Sequence, residues 1–301
     1  MGTSVSYGGP KGKNPLLPPW APPIDNPVPN GDDSPVQPDG DGAPNGPDQS
    51  APDNGGEPNS NAPAQTGSNS PNLTPWSAPK GSLSRYAGSL GGGGGQGHLR
   101  SAMRGFVRAQ GGASRASQAA RSGRATAQRL GGVLSTIARS GTAVAVESLG
   151  LGQFVGQDAN TLLAALVDRV APSGALLEEA AAREATIQTL EELFQNYGVQ
   201  DNGFEALNTL DAEGIKNTLE KYLGNYIYTR LVQIIGQKLE SRSTEDLIKV
   251  ERAVKDYIFP RVRLELMDQT DMLSMDWGNA QGQLFVDQIY REGYQLIETM
   301  S

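Results

Sequence analysis

Eighteen of the chain's twenty prolines fall within its first 95 residues; only Pro172 and Pro260 lie beyond. Proline lacks the amide donor a helix interior needs and clashes with the preceding turn. A helical fold is therefore open only to the later residues. The same first 95 residues hold 18 of the 38 glycines and little Leu, Ile, Val or Phe. Such a segment cannot bury enough apolar surface to offset the entropy of ordering it. Residues 1–95 are accordingly expected to be a long disordered Pro/Gly-rich N-terminal tail.

Beyond residue 95 apolar residues recur at helical spacing. Residues 174–197 place Leu176, Ala180, Ile187, Leu190, Phe194 and Tyr197 on one face, with Ser173 as N-cap and Gly198 just past the end. Residues 211–240 repeat the pattern through Ile215, Leu219, Tyr222, Tyr226 and Leu231, with Asp211 as N-cap. Ser243 opens a helix that Pro260 ends or kinks, and the last helix runs from about Gln281 to Thr299. Asn160 to Val170 gives a shorter helix. No segment alternates with period two over a strand's length. The expected fold is all-α, a bundle of five or six helices over 158–300. Between 97 and 150 the Gly-Gly pairs at 111–112 and 131–132 predict two or three short helices.

Charge is divided into three blocks. Residues 1–95 carry eight acids against four bases, residues 96–146 carry eight arginines and no acid, and residues 147–301 carry 25 acids against 13 bases. The organisation expected is an N-terminal recognition motif with an acidic linker (1–95), a basic Gly/Ala/Arg-rich helical segment (96–150) and an acidic helical bundle (151–301). Arg100, Arg104 and Arg108 line one helix face; Arg115, Arg121, Arg124 and Arg129 continue the charge. Two readings are open for the segment 100–139. It docks on acidic surface, the chain's own or a partner's, or it binds nucleic acid through guanidinium–phosphate pairs.

Several chemistries are excluded. With no cysteine there is no disulfide framework or thiolate metal site. His98 is the only histidine and has no acid near it in sequence, so no catalytic triad or His-rich metal cage is expected. Gly91–Gly95 lacks the Gly-Lys-Ser/Thr of a phosphate loop and reads as a hinge. The expectations are no enzyme activity, no cofactor and no metal. No apolar run is long enough for a membrane span, and no secretory signal opens the chain. A cytoplasmic protein follows as the expectation.

Two segments, Leu17-Pro-Pro-Trp20 and Leu73-Thr-Pro-Trp76, share Leu-x-Pro-Trp. Tryptophan is unusual in such a composition, and proline favours an extended form that lowers the ordering cost of docking. Both are candidate docking motifs. The N-terminus itself has a small second residue, so loss of Met1 exposes the Gly2 α-amine. That amine has a pKa near 8, and part of it is neutral and nucleophilic at pH 7. Met-Gly-x-x-x-Ser also matches a myristoylation pattern, with only Lys11 and Lys13 to support membrane binding.

Gly2-Thr-Ser-Val-Ser-Tyr-Gly-Gly-Pro10 followed by Pro15-Leu-Leu-Pro-Pro-Trp20 resembles the opening of QatB proteins of the bacterial Qat antiphage system. Ser84-Arg-Tyr-Ala-Gly-Ser and the Gly/Arg/Ala-rich stretch 99–133 are similar to that family as well. The resemblance implies a non-enzymatic component acting with an ATPase, a QueC-like enzyme and a TatD-like nuclease. QueC enzymes condense a 7-deazaguanine carboxylate with an amine. By that analogy Gly2 is the modification acceptor and Thr3, Ser4, Ser6, Gly8, Gly9 and Pro10 are read by the partner. Trp20 and Trp76 would then be further recognition points.

Overall fold

A computed structural model describes residues 76–90, 95–154, 156–239, 242–263 and 270–299, and among them every regular element is a helix. In chain order these are α1 (Ser77–Gly88), α2 (Gln96–Ala109), α3 (Ala113–Ala119), α4 (Arg121–Ser140), α5 (Thr142–Ser148) and α6 (Ala159–Val170). They continue with α7 (Leu177–Asn196), α8 (Val199–Asn202), α9 (Ala212–Ile235), α10 (Thr244–Ile258) and α11 (Ala280–Thr299). The fold is all-α, as the periodicity implied.

Helices α4, α7 and α9 pack against one another at the centre. α9 is buried on all sides through its middle: every residue from Tyr222 to Thr229 is buried. A helix enclosed by neighbours needs no polar face, so the single stripe expected from the sequence understates it. α11 lies along α2, α3 and α4, while α1 and α2 form a helical pair. One continuous core runs from Leu83 through Leu99, Phe106, Leu134, Leu190 and Tyr226 to Ile297. The basic and acidic segments contribute to it together.

The helix ends follow local chemistry. Asp211 accepts from the Gly214 amide at 2.8 Å and Ser243 from that of Asp246 at 3.2 Å, the expected N-caps. Asp158 caps α6 by accepting from Asn160 and Thr161, both at 3.0 Å. Gly198 follows α7 in the left-handed region, with φ 65°. Ser173 does not cap α7. The helix starts four residues later, where the Glu179 carboxylate accepts from the Leu176 amide at 2.9 Å. Leu176 is exposed, and the buried stripe is instead Ala181, Ala182, Ala185, Thr186, Thr189, Leu190, Leu193 and Phe194.

Two further expectations are corrected. Residues 77–88, placed in the disordered tail, form α1 and bury Leu83, Tyr86 and Ala87. The average composition of 1–95 hid these few apolar residues at helical spacing, which gain a packing surface only from α2. The second correction concerns the glycine pairs. Gly111 and Gly112 do break the chain, at φ 92° and 87°. Gly131 and Gly132 sit within the 20-residue α4. Their place is set by packing: a Cβ at Gly131 would stand 2.3 Å from Trp277 Cζ3. The absent side chain makes room for an indole and leaves the helix unbroken.

Candidate functional site

Gly2, Thr3, Ser4, Ser6, Gly8, Gly9, Pro10 and Trp20 lie outside the described residues, as do Gly91–Gly94. Trp76 is described and turns inward. It is partly buried, its ring centroid 6.2 Å from that of Phe106 on α2.

The arginine block divides by partner. Arg124 pairs with Asp287 of α11 and also donates to the Gln118 carbonyl at 3.4 Å. Arg129 Nε donates to the Val170 carbonyl at 2.6 Å, holding α4 to the end of α6. Arg108 Nε stands 3.9 Å from Glu298 Oε1, while Glu298 Oε2 accepts from the Ala113 amide at 2.9 Å. These arginines tie the basic helices to acids and carbonyls of the same body. Arg104 is half-buried. Arg100, Arg115 and Arg121 are exposed, with no ion pair among the described residues. The helical spacing of the arginines was legible in the sequence; their division was not, because the acids that hold Arg108 and Arg124 come from the last helix.

The most concentrated chemistry is at the start of α4. Glu178 Oε1 accepts from the Gly123 amide at 2.9 Å and Oε2 from the Ser122 amide at 3.0 Å. A carboxylate there complements the helix dipole and satisfies two otherwise orphan donors. The Tyr226 hydroxyl donates to Glu178 Oε1 at 2.6 Å, and the Tyr222 hydroxyl donates to the Gly123 carbonyl at 3.1 Å. Tyr290 stands edge-on to Tyr226, centroids 5.5 Å apart, and Tyr294 is fully buried beside them. Burial pushes all four tyrosines up from the ordinary phenol range, and the neighbouring Glu178 carboxylate pushes Tyr226 further. Read from sequence, the acids of 178–192 are a solvated face. Glu178 corrects that, because its donors are 48 to 56 residues away. The cluster joins α4, α7, α9 and α11, and its role is to hold them.

Two open clefts of about 400 and 390 Å³ meet at Lys221 and Phe259, where Lys221 pairs with Glu192 and lies 5.8 Å over the Phe259 ring. Acidic and basic side chains line both. Among the described residues no three His, Cys, Asp or Glu stand together as a metal site, and no helix is long and apolar enough to cross a membrane.

No curated protein and no solved structure matches the chain. The family model described as "Qat anti-phage system associated protein QatB" matches residues 111–297. That span opens at the Gly111–Gly112 break and runs through α3 to α11, taking in the Glu178–tyrosine cluster. It overlaps the 99–133 stretch on which part of the resemblance was read, and extends it across the helical body. With more than half of its length in that match, the chain belongs to the QatB family, a component of the Qat anti-phage system.

Proposed function

We propose that the protein acts in antiphage defence as a non-catalytic adaptor and as a substrate. After loss of Met1, the Gly2 α-amine attacks an ATP-activated 7-deazaguanine carboxylate held by a QueC-like partner. An amide bond forms, the activating group leaves and the amine gives up its proton. Thr3, Ser4, Ser6, Gly8, Gly9 and Pro10 are the residues that partner reads. The helical body meets the other components, an ATPase and a TatD-like nuclease among them. Trp20 and the partly buried Trp76, whose ring also packs on Phe106, are further recognition points.

The observation that carries this reading is the composition of the stretch between Gly2 and α1, rich in Pro and Gly and poor in Leu, Ile, Val and Phe. α1 opens at Ser77, so 74 positions separate Gly2 from Trp76, the residue before it. On that composition the stretch is expected to stay unpacked, and as a coil of that length it would span roughly 50 Å r.m.s., enough for the terminus to enter another protein's cleft while the body is docked elsewhere. The N-terminal peptide of protein made with the QueC-like partner should carry an added deazaguanine mass on Gly2, absent when the protein is made alone. Deleting residues 2–10 should abolish defence and leave the helical circular dichroism unchanged. An unmodified glycine in both preparations overturns the substrate reading.

A second reading, sequence-independent nucleic-acid binding, is favoured by the exposure of Arg100, Arg115 and Arg121. If it holds, replacing each of the three with alanine should lower the log–log salt slope of DNA or RNA binding by about 1. A flat salt dependence of the intact protein removes this reading.

A further inference from the structure

Two residues of the downstream tryptophan motif, Trp76 and Pro79, are described, and both turn inward. Trp76 packs on Phe106, and Pro79, one helical turn later, is buried. A Cβ at Gly105 would stand 3.1 Å from Pro79 Cβ, so Gly105 is the gap that receives the proline ring. The motif thus presents a tryptophan and a proline three residues apart to Phe106 and Gly105 on α2.

The upstream copy carries the same pair. Leu17-x-Pro19-Trp20-x-x-Pro23 aligns with Leu73-x-Pro75-Trp76-x-x-Pro79. Prolines are dense here, and a proline match alone is cheap. Tryptophans are scarce: the chain has three, and the third, Trp277, is buried in the core. The two copies therefore share the residues that make contact.

The start of α1 is held by the buried Pro79 and by Lys80 Nζ donating to Gln237 Oε1 at 3.2 Å, without the usual capping interactions. Trp76 gives α1 no side-chain cap, and the first turn has no acid. The Lys80 amide returns to the Trp76 carbonyl at 3.1 Å. The anchors of α1, Leu83, Tyr86 and Ala87, lie one to two turns further on. Helix starts of this kind open locally while the rest stays packed.

We propose that the seat formed by Gly105 and Phe106 accepts Trp20 and Pro23 of the same chain in exchange for Trp76 and Pro79. Fifty-six positions separate the two tryptophans. A Gly/Pro/Asn-rich connector of that length spans about 40 Å r.m.s. as a coil, an effective concentration on the order of millimolar. That favours the chain's own copy over one from another molecule. The exchange resets how far the N-terminus reaches. With the downstream copy seated, Gly2 is 74 positions from the anchored tryptophan; with the upstream copy seated it is 18. The corresponding coil spans are roughly 50 and 25 Å. This consequence deepens the tail-presentation reading, while the docking is measured independently of it.

The chain has no cysteine, so a thiol introduced in the full-length protein as Ala21→Cys is unique and takes a single nitroxide. Paramagnetic broadening of the α2 amides around Gly105 and Phe106 is then read in three backgrounds. It should be weak in the parent, on the order of fivefold stronger in Trp76→Ala, and absent in Trp76→Ala/Trp20→Ala. It should not change on dilution. Pro79→Ala gives the same readout with a smaller perturbation, should Trp76→Ala unfold α1. The proposal is overturned if neither Trp76→Ala nor Pro79→Ala brings the label to α2. It is also overturned if the broadening falls with dilution, which would assign the occupant to a second molecule. If docking holds while Gly2 stays unmodified beside the QueC-like partner, the exchange stands and the substrate reading fails.

Discussion

Above pH 10 the helical body is expected to unfold as a unit, steeply and with release of tyrosine protons. Tyr222, Tyr226, Tyr290 and Tyr294 all have pKa values raised in the folded state, with burial as the first cause. In the unfolded chain a tyrosine titrates near 10. The stabilisation from holding these phenols neutral is fully present below that value. It is lost as pH rises above 10, because the unfolded state sheds protons that the folded state keeps. Each such group contributes a slope of about 1.4 kcal/mol per pH unit, so the four together give about 5 kcal/mol per unit. A domain with a typical stability of about 5–15 kcal/mol does not survive more than one to three units of that. Helical circular dichroism and tyrosinate absorbance, followed on one alkaline titration, should change together. Absorbance rising well ahead of helix loss would show that the cluster is open to solvent. Tyr290→Phe should make the pH dependence shallower by about one group, roughly a quarter. It should leave neutral-pH stability nearly unchanged, because the Tyr222 hydroxyl beside it keeps its own acceptor, the Gly123 carbonyl.

The second large effect is a contrast between adjacent glycines. In an open helix, Gly to Ala stabilises by about 1 kcal/mol. At Gly132 the new Cβ would meet Trp277 Cβ at 3.4 Å, an ordinary contact, so Gly132→Ala should raise stability by about 0.5–1 kcal/mol. At Gly131 it would stand 2.3, 2.4 and 2.6 Å from three atoms of the Trp277 ring. That indole is buried, edge-on to Phe285 at 5.8 Å, and donates to the Met272 carbonyl at 3.3 Å. It cannot move without giving up these contacts. Gly131→Ala should therefore cost about 2–3 kcal/mol and lower Tm by roughly 5–10 °C. Trp277 emission should shift to the red at the same time. Equal stability of the two variants would show that α4 and Trp277 are not in close contact.

These effects mark where local sequence stops informing about the fold. Helix starts governed by one side chain and its neighbours were legible: Asp211 and Ser243 cap the helices they precede. So were α10 and α11, whose apolar residues keep one phase. What was illegible depends on residues far along the chain. A glycine pair reads as a break until a tryptophan some 145 positions later is seen to occupy the gap. Glu178 reads as a solvated helix residue until its donors arrive from α4 and α9. Helix α1 was missed because composition was averaged over 95 residues, whereas burial of Leu83 and Tyr86 is decided by α2. For the candidate sites, arginine periodicity was visible but the division between docked and exposed guanidinium groups was not. The N-terminal motif, Gly2 to Pro10, lies outside the described residues.

The junction between α11 and the basic helices also bears on how the protein is made. Glu298 and Asp287, which hold Arg108, Ala113 and Arg124, are synthesised some 160 to 190 positions after the groups they hold. Until they emerge, α2, α3 and α4 lack the helix that covers them, and the nascent chain presents apolar surface with a strong positive charge. Closing contacts between distant parts of a chain is slow, and such intermediates are prone to associate. Closure of this body therefore waits on the synthesis of α11. A product that stops short of α11 would leave exposed the faces of α2, α3 and α4 that α11 covers.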